Sequence, residues 1–427
     1  MSKIHIRNGH LIDPLNQRDR QGDIFIAAGK IIAIDKAPDG FVANHEVDAS
    51  GCWVFPGLID LRARLREPGQ EHKGTIASES HAATSAGITT ICMPPDTLPI
   101  IDTPAVVELI HRRAEAAGQA KVVTLGALTV GLKGEHLSEM VQLQQAGCVG
   151  MTNLHYPILE SQIMRRAMEY AASNGITVFI NAEDEKLAGS GYAHEGQVST
   201  RLGLKGIPET AETLAVSRKL MLIEQTGVRA HFCQLSTARA VQMIKRAQYD
   251  GLRVTADVSA HQLHLTEMDI GFFDSNCHVL PPLRTQRDRD GLRLGLQEDT
   301  LSAICSDHQP HDRDAKLAPF GETEPGISAL ETLLPLSLRL VEEGVLTRSD
   351  AIARLTCQPA SVLNLPVGSL KPGHAADICI FDPAQRWHLS EDEMVSQGHN
   401  TPFIGWEFNG RVRQTLVDGK IIFSRQA

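Results

Sequence analysis

Pro56-Gly57-Leu58-Ile59-Asp60-Leu61-Arg62-Ala63-Arg64-Leu65-Arg66-Glu67-Pro68-Gly69 passes from a turn into an apolar run and ends in alternating arginines. On a β-strand, residues two apart point to the same face, so Arg62 and Arg64 are expected to project together into a barrel mouth. Two imidazoles at that spacing can hold a metal ion. Two guanidiniums cannot, because arginine stays protonated and has no lone pair to offer.

Downstream, strand-like and helix-like segments alternate. Strands are predicted at Gly87–Cys92, Lys121–Leu125, Val149–Met151, Thr177–Ile180, Arg229–Phe232, Arg253–Ala256 and Ser302–Cys305. Helices are predicted over 104–117, 162–173, 209–225 and 237–247. Repeated βα units over about 300 residues imply an α/β fold, a (β/α)8 TIM-type barrel. No Gly-x-Gly-x-x-Gly opens a helix, which disfavours an open doubly wound sheet.

Both ends of the chain read as short strands. Ile4–Asp13 reads as a strand, a turn and another strand; Asp23–Ile26 and Lys30–Ile34 flank an Ala-Gly turn; Ala376–Asp382 and Arg413–Phe423 repeat the style. The expected organisation is therefore 1–53 and 366–427 as two parts of one small β-domain, with the barrel at 54–365.

The 427 residues are 42% hydrophobic and 22% charged, with a formal net charge of −10 and 4% aromatics. That balance disfavours nucleic acid and anionic membrane as partners. The eight cysteines form no C-x-x-C pair and mostly lie in apolar runs, as expected of buried thiols in a reducing cytosol. The N-terminus has no signal-peptide apolar region, and no run reaches the roughly 18 apolar residues of a membrane span. A cytoplasmic location is expected.

Several further motifs recur in a fixed order: Gly206-Ile207-Pro208 with Ala211-Glu212, Val254–His261, Pro281-Pro282-Leu283-Arg284, Ser306–His311, Ala318–Gly321, Leu330-Glu331-Thr332 and Asn400-Thr401-Pro402-Phe403. With the first strand, they resemble the dihydroorotase family of cyclic amidohydrolases nearly end to end. The family's first strand runs P-G-x-I-D-x-H-x-H-x-R, and its strand ends hold two zinc ions that activate a bridging water.

Carried over position by position, the resemblance places arginines at the first two ligands, Arg62 and Arg64. The bridging acid falls at Asn153, the next two histidines at Asn181 and Gln234, and only Asp307 keeps an acidic ligand. Among substrate contacts, Arg66 and His311 match, while two family asparagines read Asp96 and Leu280. An acid at 96 is expected to pair with Arg66 and repel a carboxylate. Arg62 or Arg64 is expected to take the metal's place with a charge-assisted hydrogen bond to Asp307. His231, His261, His264, His308 and His311 leave open a rebuilt metal site at the mouth.

The resemblance thus implies a catalytically inactive dihydroorotase homologue with no metal and no cofactor. It is similar to the non-catalytic chain that some bacteria assemble with the aspartate carbamoyltransferase catalytic chain in pyrimidine biosynthesis. Such a chain is expected to be a homo-oligomer within a large hetero-oligomer. Two other readings stay open: an amidohydrolase with altered chemistry and little metal, and a module that senses an anionic metabolite through its arginines.

Overall fold

The computed structural model describes residues 3–425. Eight parallel strands form the barrel: β1 (Leu58–Asp60), β2 (Ile88–Met93), β3 (Lys121–Ala127), β4 (Cys148–Thr152), β5 (Val178–Asn181), β6 (Ala230–Cys233), β7 (Val254–Ser259) and β8 (Ala303–Cys305). They pair in chain order from β1 to β8. The ring closes just past the strand ends, where Ala63 bridges His308 and Arg64 N–H donates to the His308 carbonyl at 2.9 Å. The barrel expected from the alternating pattern is therefore present.

Alternation along each strand sorts side chains into two layers. Ile59, Leu61, Cys92, Leu125, Phe179, Cys233, Ala303 and Cys305 make an inner cluster, which the short helix Cys357–Leu363 joins through Ala360, Val362 and Leu363. Leu58, Ile91, Ile180, Phe232 and Ile304 face outward to a much larger cluster shared with the surrounding helices. The helices predicted from periodicity are found at Pro104–Ala117, Ser161–Ser173, Glu209–Thr226 and Ala238–Tyr249.

The terminal sheet has eight strands: Lys3–Asp13, Arg18–Ala27, Lys30–Ile34, His45–Asp48 and Trp53–Pro56 from the N-terminal side, then Ile378–His388, Glu407–Val417 and Lys420–Ser424. Its N-terminal share runs to Pro56. Trp53–Pro56 pairs antiparallel with Ile378–Phe381 and so joins the two ends of the chain. Asn8-Gly9, read as a turn, is instead a bulge within one continuous strand. Asn8 takes φ 62° there, and its N–H donates to Asp23 Oδ1 at 2.9 Å. Gly9 is required beside it, since a Cβ would lie 2.6 Å from Val54 Cγ2. A two-residue Ala28-Gly29 loop with positive φ at both positions closes the next hairpin, as a type I′ turn needs.

Lys121 bonds Asp377 Oδ2 at 2.8 Å and Asp418 Oδ1 at 2.7 Å, and Gly57 N–H donates to the Asp377 carbonyl at 2.8 Å. The terminal sheet is thereby clamped to the N-terminal end of the barrel strands, leaving their C-terminal ends to form the mouth.

Candidate functional site

Arg62 and Arg64 are buried side by side at the end of β1. Arg62 Nη1 donates to Asn181 Oδ1 at 2.8 Å, and Asn181 Nδ2 donates to Gln234 Oε1 at 2.8 Å. Arg62 Nε stands 3.4 Å and Arg64 Nη1 3.7 Å from Asp307 Oδ1. These contacts are ionic. Neither nitrogen makes a hydrogen bond, so the charge-assisted bond expected at Asp307 is replaced by a looser ion pair. Gln309 Nε2 supplies a hydrogen bond to Asp307, at 3.2 Å.

Asp96 pairs with Arg64 rather than with Arg66: Arg64 Nε donates to Asp96 Oδ2 at 2.7 Å. Arg66 takes φ 64° and turns toward the β8 loop, donating from Nε to the Pro310 carbonyl at 3.0 Å and lying 3.1 Å from His311 Nε2. Burial opposes ionisation of Asp96, but Arg64, its hydrogen bond, and Arg62 and Arg66 together hold the carboxyl below its ordinary value. Burial pushes Asp307 up against the pull of Arg62 and Arg64. Burial and the neighbouring Arg64 bring Arg66 down to about 10.

The other positions divide. Asn153 is held away from the arginines: Thr129 Oγ1 donates to its Oδ1 at 2.7 Å, and its Nδ2 donates to the carbonyls of Leu132 and Tyr156. Leu280 packs on the small cluster of Ala188, Ile207 and Ala211. His311 N–H is fixed by Asn400 Oδ1 at 2.8 Å, while burial and Arg66 keep its imidazole neutral. Thus Arg62, Arg64, Asp96, Asn181, Gln234 and Asp307 form one connected group. Arg66 and His311 form a second beside it.

His155 was not singled out from the sequence. Its Nε2 faces Arg62 Nη2 at 3.4 Å, and burial with Arg62 and Arg64 lowers it to about 3, so it meets the guanidinium as a neutral acceptor. Backbone strain concentrates at the same ring. Arg66, Leu154, Gln234 and Asp307 all have φ between 50° and 64°, a conformation that costs side-chain-bearing residues about 1 kcal/mol or more each. A cavity of about 190 Å³ opens above Arg64, lined also by Arg66, Gln70, Thr97, Leu98 and Tyr156.

The five histidines do not converge on the mouth. His308 pairs with Glu79 at 2.9 Å, and His264 Nε2 donates to the Leu336 carbonyl at 2.9 Å. His261 is buried on the turn after β7. His231 instead lies inside the barrel with Cys233 and Asp257, their donor atoms within 4.8 Å of one another. This is enough to hold a metal by number, and strand parity contained the signal. His231 sits opposite Thr255, so 231 and 233 share the inner face with 255 and 257. The lone pairs are largely engaged, however. His231 Nε2 meets Asp257 at 2.9 Å and Nδ1 meets Thr255 at 2.7 Å, and Asp257 accepts from Gln234 N–H at 2.6 Å. Burial and Asp257 push the Cys233 thiol far up, away from the thiolate a metal requires. At the mouth, the donor set of two arginines, two amides and Asp307 does not fit the family's zinc pair.

The Dihydro-orotase-like family profile matches residues 51–240 and the Amidohydrolase family profile residues 325–423. Among solved structures, L-hydantoinase (dihydropyrimidinase) from Arthrobacter aurescens superposes with a TM-score of 0.89 at 22% identity, covering 99% of this chain and 96% of that one. Dihydropyrimidinase from Brevibacillus agri gives 0.84 at 20%, covering 99% and 95%. The fold is that of the amidohydrolase barrels with their terminal β-sheet. A dihydroorotase-like protein of Pseudomonas aeruginosa is 50% identical over 98% of this chain and 99% of its own length. A dihydroorotase of Syntrophotalea carbinolica is 44% identical over 99% of each. The chain belongs to the dihydroorotase-like family.

Proposed function

We propose that this chain is a non-catalytic member of its family that assembles with the aspartate carbamoyltransferase catalytic chain as a structural subunit, itself oligomeric within a larger hetero-oligomer. The observation that carries the reading is the Arg62–Asp307–Arg64 cluster, where positive side chains stand in place of metal donors. A water activated by metal is the nucleophile of dihydroorotase chemistry, and two fixed guanidiniums repel the ion that would lower its pKa. The frame around the cluster is hydrogen-bonded. Glu212 accepts from the N–H groups of Ser236 and Thr237, and Asn400 ties His311, Gln309 and Gly326 together.

The test has two parts. Purified protein is expected not to hydrolyse dihydroorotate or cyclise carbamoyl aspartate, with or without added zinc; chelator-sensitive turnover would overturn the inactivity. Size-exclusion chromatography with mass measurement is expected to show a larger species when the transferase chain is added. A second reading, an anion-sensing module, is favoured by the cavity above Arg64, whose Nη1 is buried without a hydrogen-bond partner. Calorimetric titration with carboxylate and carbamoyl metabolites distinguishes it.

A further inference from the structure

The loops that follow the barrel strands carry exposed large apolar side chains. Phe272 is 100% exposed, Leu317 78%, Leu98 70% and Met268 61%; Phe273 and Tyr156 are about half exposed. They follow β2, β4, β7 and β8, so all lie around the mouth. Lys316 Nζ donates to the Ser275 carbonyl at 3.1 Å, tying the loop of Leu317 to that of Phe272 and Phe273. Leu98 and Tyr156 line the same cavity above Arg64. Tyr192, His278 and Phe320, from three different loops, pack with centroids 5.1–6.1 Å apart and brace this rim.

Fully exposed side chains of this size present about 150–250 Å² each. Summed, the exposed parts of the six residues come to roughly 800 Å², comparable with what one partner contributes to a stable interface. The rim is also acidic. Glu160, Glu185, Asp269, Asp274, Asp314 and Glu322 are exposed around it and outnumber the exposed Lys133, Lys186, Arg201 and Lys205 of the same loops, and the exposed Arg313 is already paired with Glu391. Two copies meeting face to face would set like charges against each other, which favours a different, basic partner.

We infer that the barrel mouth is the docking face for a protein partner presenting an apolar surface ringed by basic side chains, with Phe272 as its anchor. Naming that partner as the transferase chain rests on the function proposed above. A working hydrolase must keep its mouth open to substrate. A mouth whose metal positions are taken by its own ion pairs can be covered.

The experiment compares wild type, a Phe272→Asp/Leu317→Asp variant and a Met221→Asp control on the outer helix Glu209–Thr226. Each is titrated with the transferase chain, and the complex is followed by light scattering. All three replaced side chains are largely exposed, and near-UV circular dichroism checks that the fold is retained. Wild type and the control are expected to bind alike, more weakly at high salt, and the rim variant at least 100-fold more weakly. A rim variant that binds as tightly as wild type overturns the docking face and leaves the scaffold reading intact. Failure of wild type to bind removes the scaffold reading and this occupant together. A rim variant that changes only the mass of the chain alone assigns the face to a second copy and overturns the inference.

Discussion

Arg64 lies between two carboxylates, Asp96 at 2.7 Å and Asp307 at 3.7 Å. Deleting one partner of a buried pair leaves the other charge without compensation. Asp96→Ala is therefore expected to destabilise the fold by about 3 kcal/mol, read as a shift of the urea midpoint at unchanged slope. Restoring histidines, Arg62→His with Arg64→His, is expected to give neither zinc-dependent turnover nor a stoichiometric zinc pair by elemental analysis. Asn181 and Gln234 would remain at the mouth, and Asn153 is committed to Thr129 and two carbonyls. Activity in that double variant would show that other donors, such as His155 or His231, complete a site.

Elements built on strong periodicity were legible, and those that depend on distant neighbours were not. The strand pattern fixed the barrel because apolar alternation is local. The helices Ile76–Ser85, Gln286–Gln297 and Leu330–Glu342 escaped, the last interrupted by Pro335 and buried along most of its length. Its polar side is only the narrow stripe of Glu331, Arg339 and Glu342, and a proline inside the segment reads as a break. Along the first strand, Ile59 and Leu61 join the inner cluster while Ala63 and Leu65 join the outer one. The alternation therefore slips between Leu61 and Ala63, past the end of the strand, where Ala63 bridges His308. Helix Cys357–Leu363 packs on the inner cluster through Leu363, which is 2% exposed. Leu363→Ala is expected to cost about 2–5 kcal/mol, measured by chemical unfolding. A cost below about 1 kcal/mol would mean that the inner cluster does not depend on this helix.

Across the whole molecule, burial lowers His194, His261 and His278 to about 4 from an ordinary 6.5. Between those values the unfolded chain takes up protons that the folded chain refuses, so stability falls as pH drops below 6.5. At pH 5 each histidine costs about 2 kcal/mol, roughly 6 kcal/mol together. Asp60 works the other way. Burial raises it to about 6, so the folded chain gains about 1.3 kcal/mol as pH falls from 7 to 5. The histidines win, and the thermal midpoint is expected to drop by about 5 °C or more from pH 7 to pH 5. A flat profile would show that these imidazoles are solvated.

The sequence by itself determined the βα alternation, the pairing of the chain's two ends in one sheet, and the family. Each depends on local periodicity or on short motifs whose backbone roles do not change with their surroundings. It also showed that Arg62 and Arg64 cannot ligate a metal, since that follows from side-chain chemistry alone. Only the tertiary structure decided which acid each arginine meets, that Asn153 turns away, that His231 and Asp257 share the barrel interior, and that apolar loop tips from four strands gather on one face. Those outcomes turn on angstrom-scale reach between residues tens to hundreds of positions apart. A guanidinium on a flexible stem can meet any carboxylate within several ångströms, and the packing of neighbouring loops selects among them.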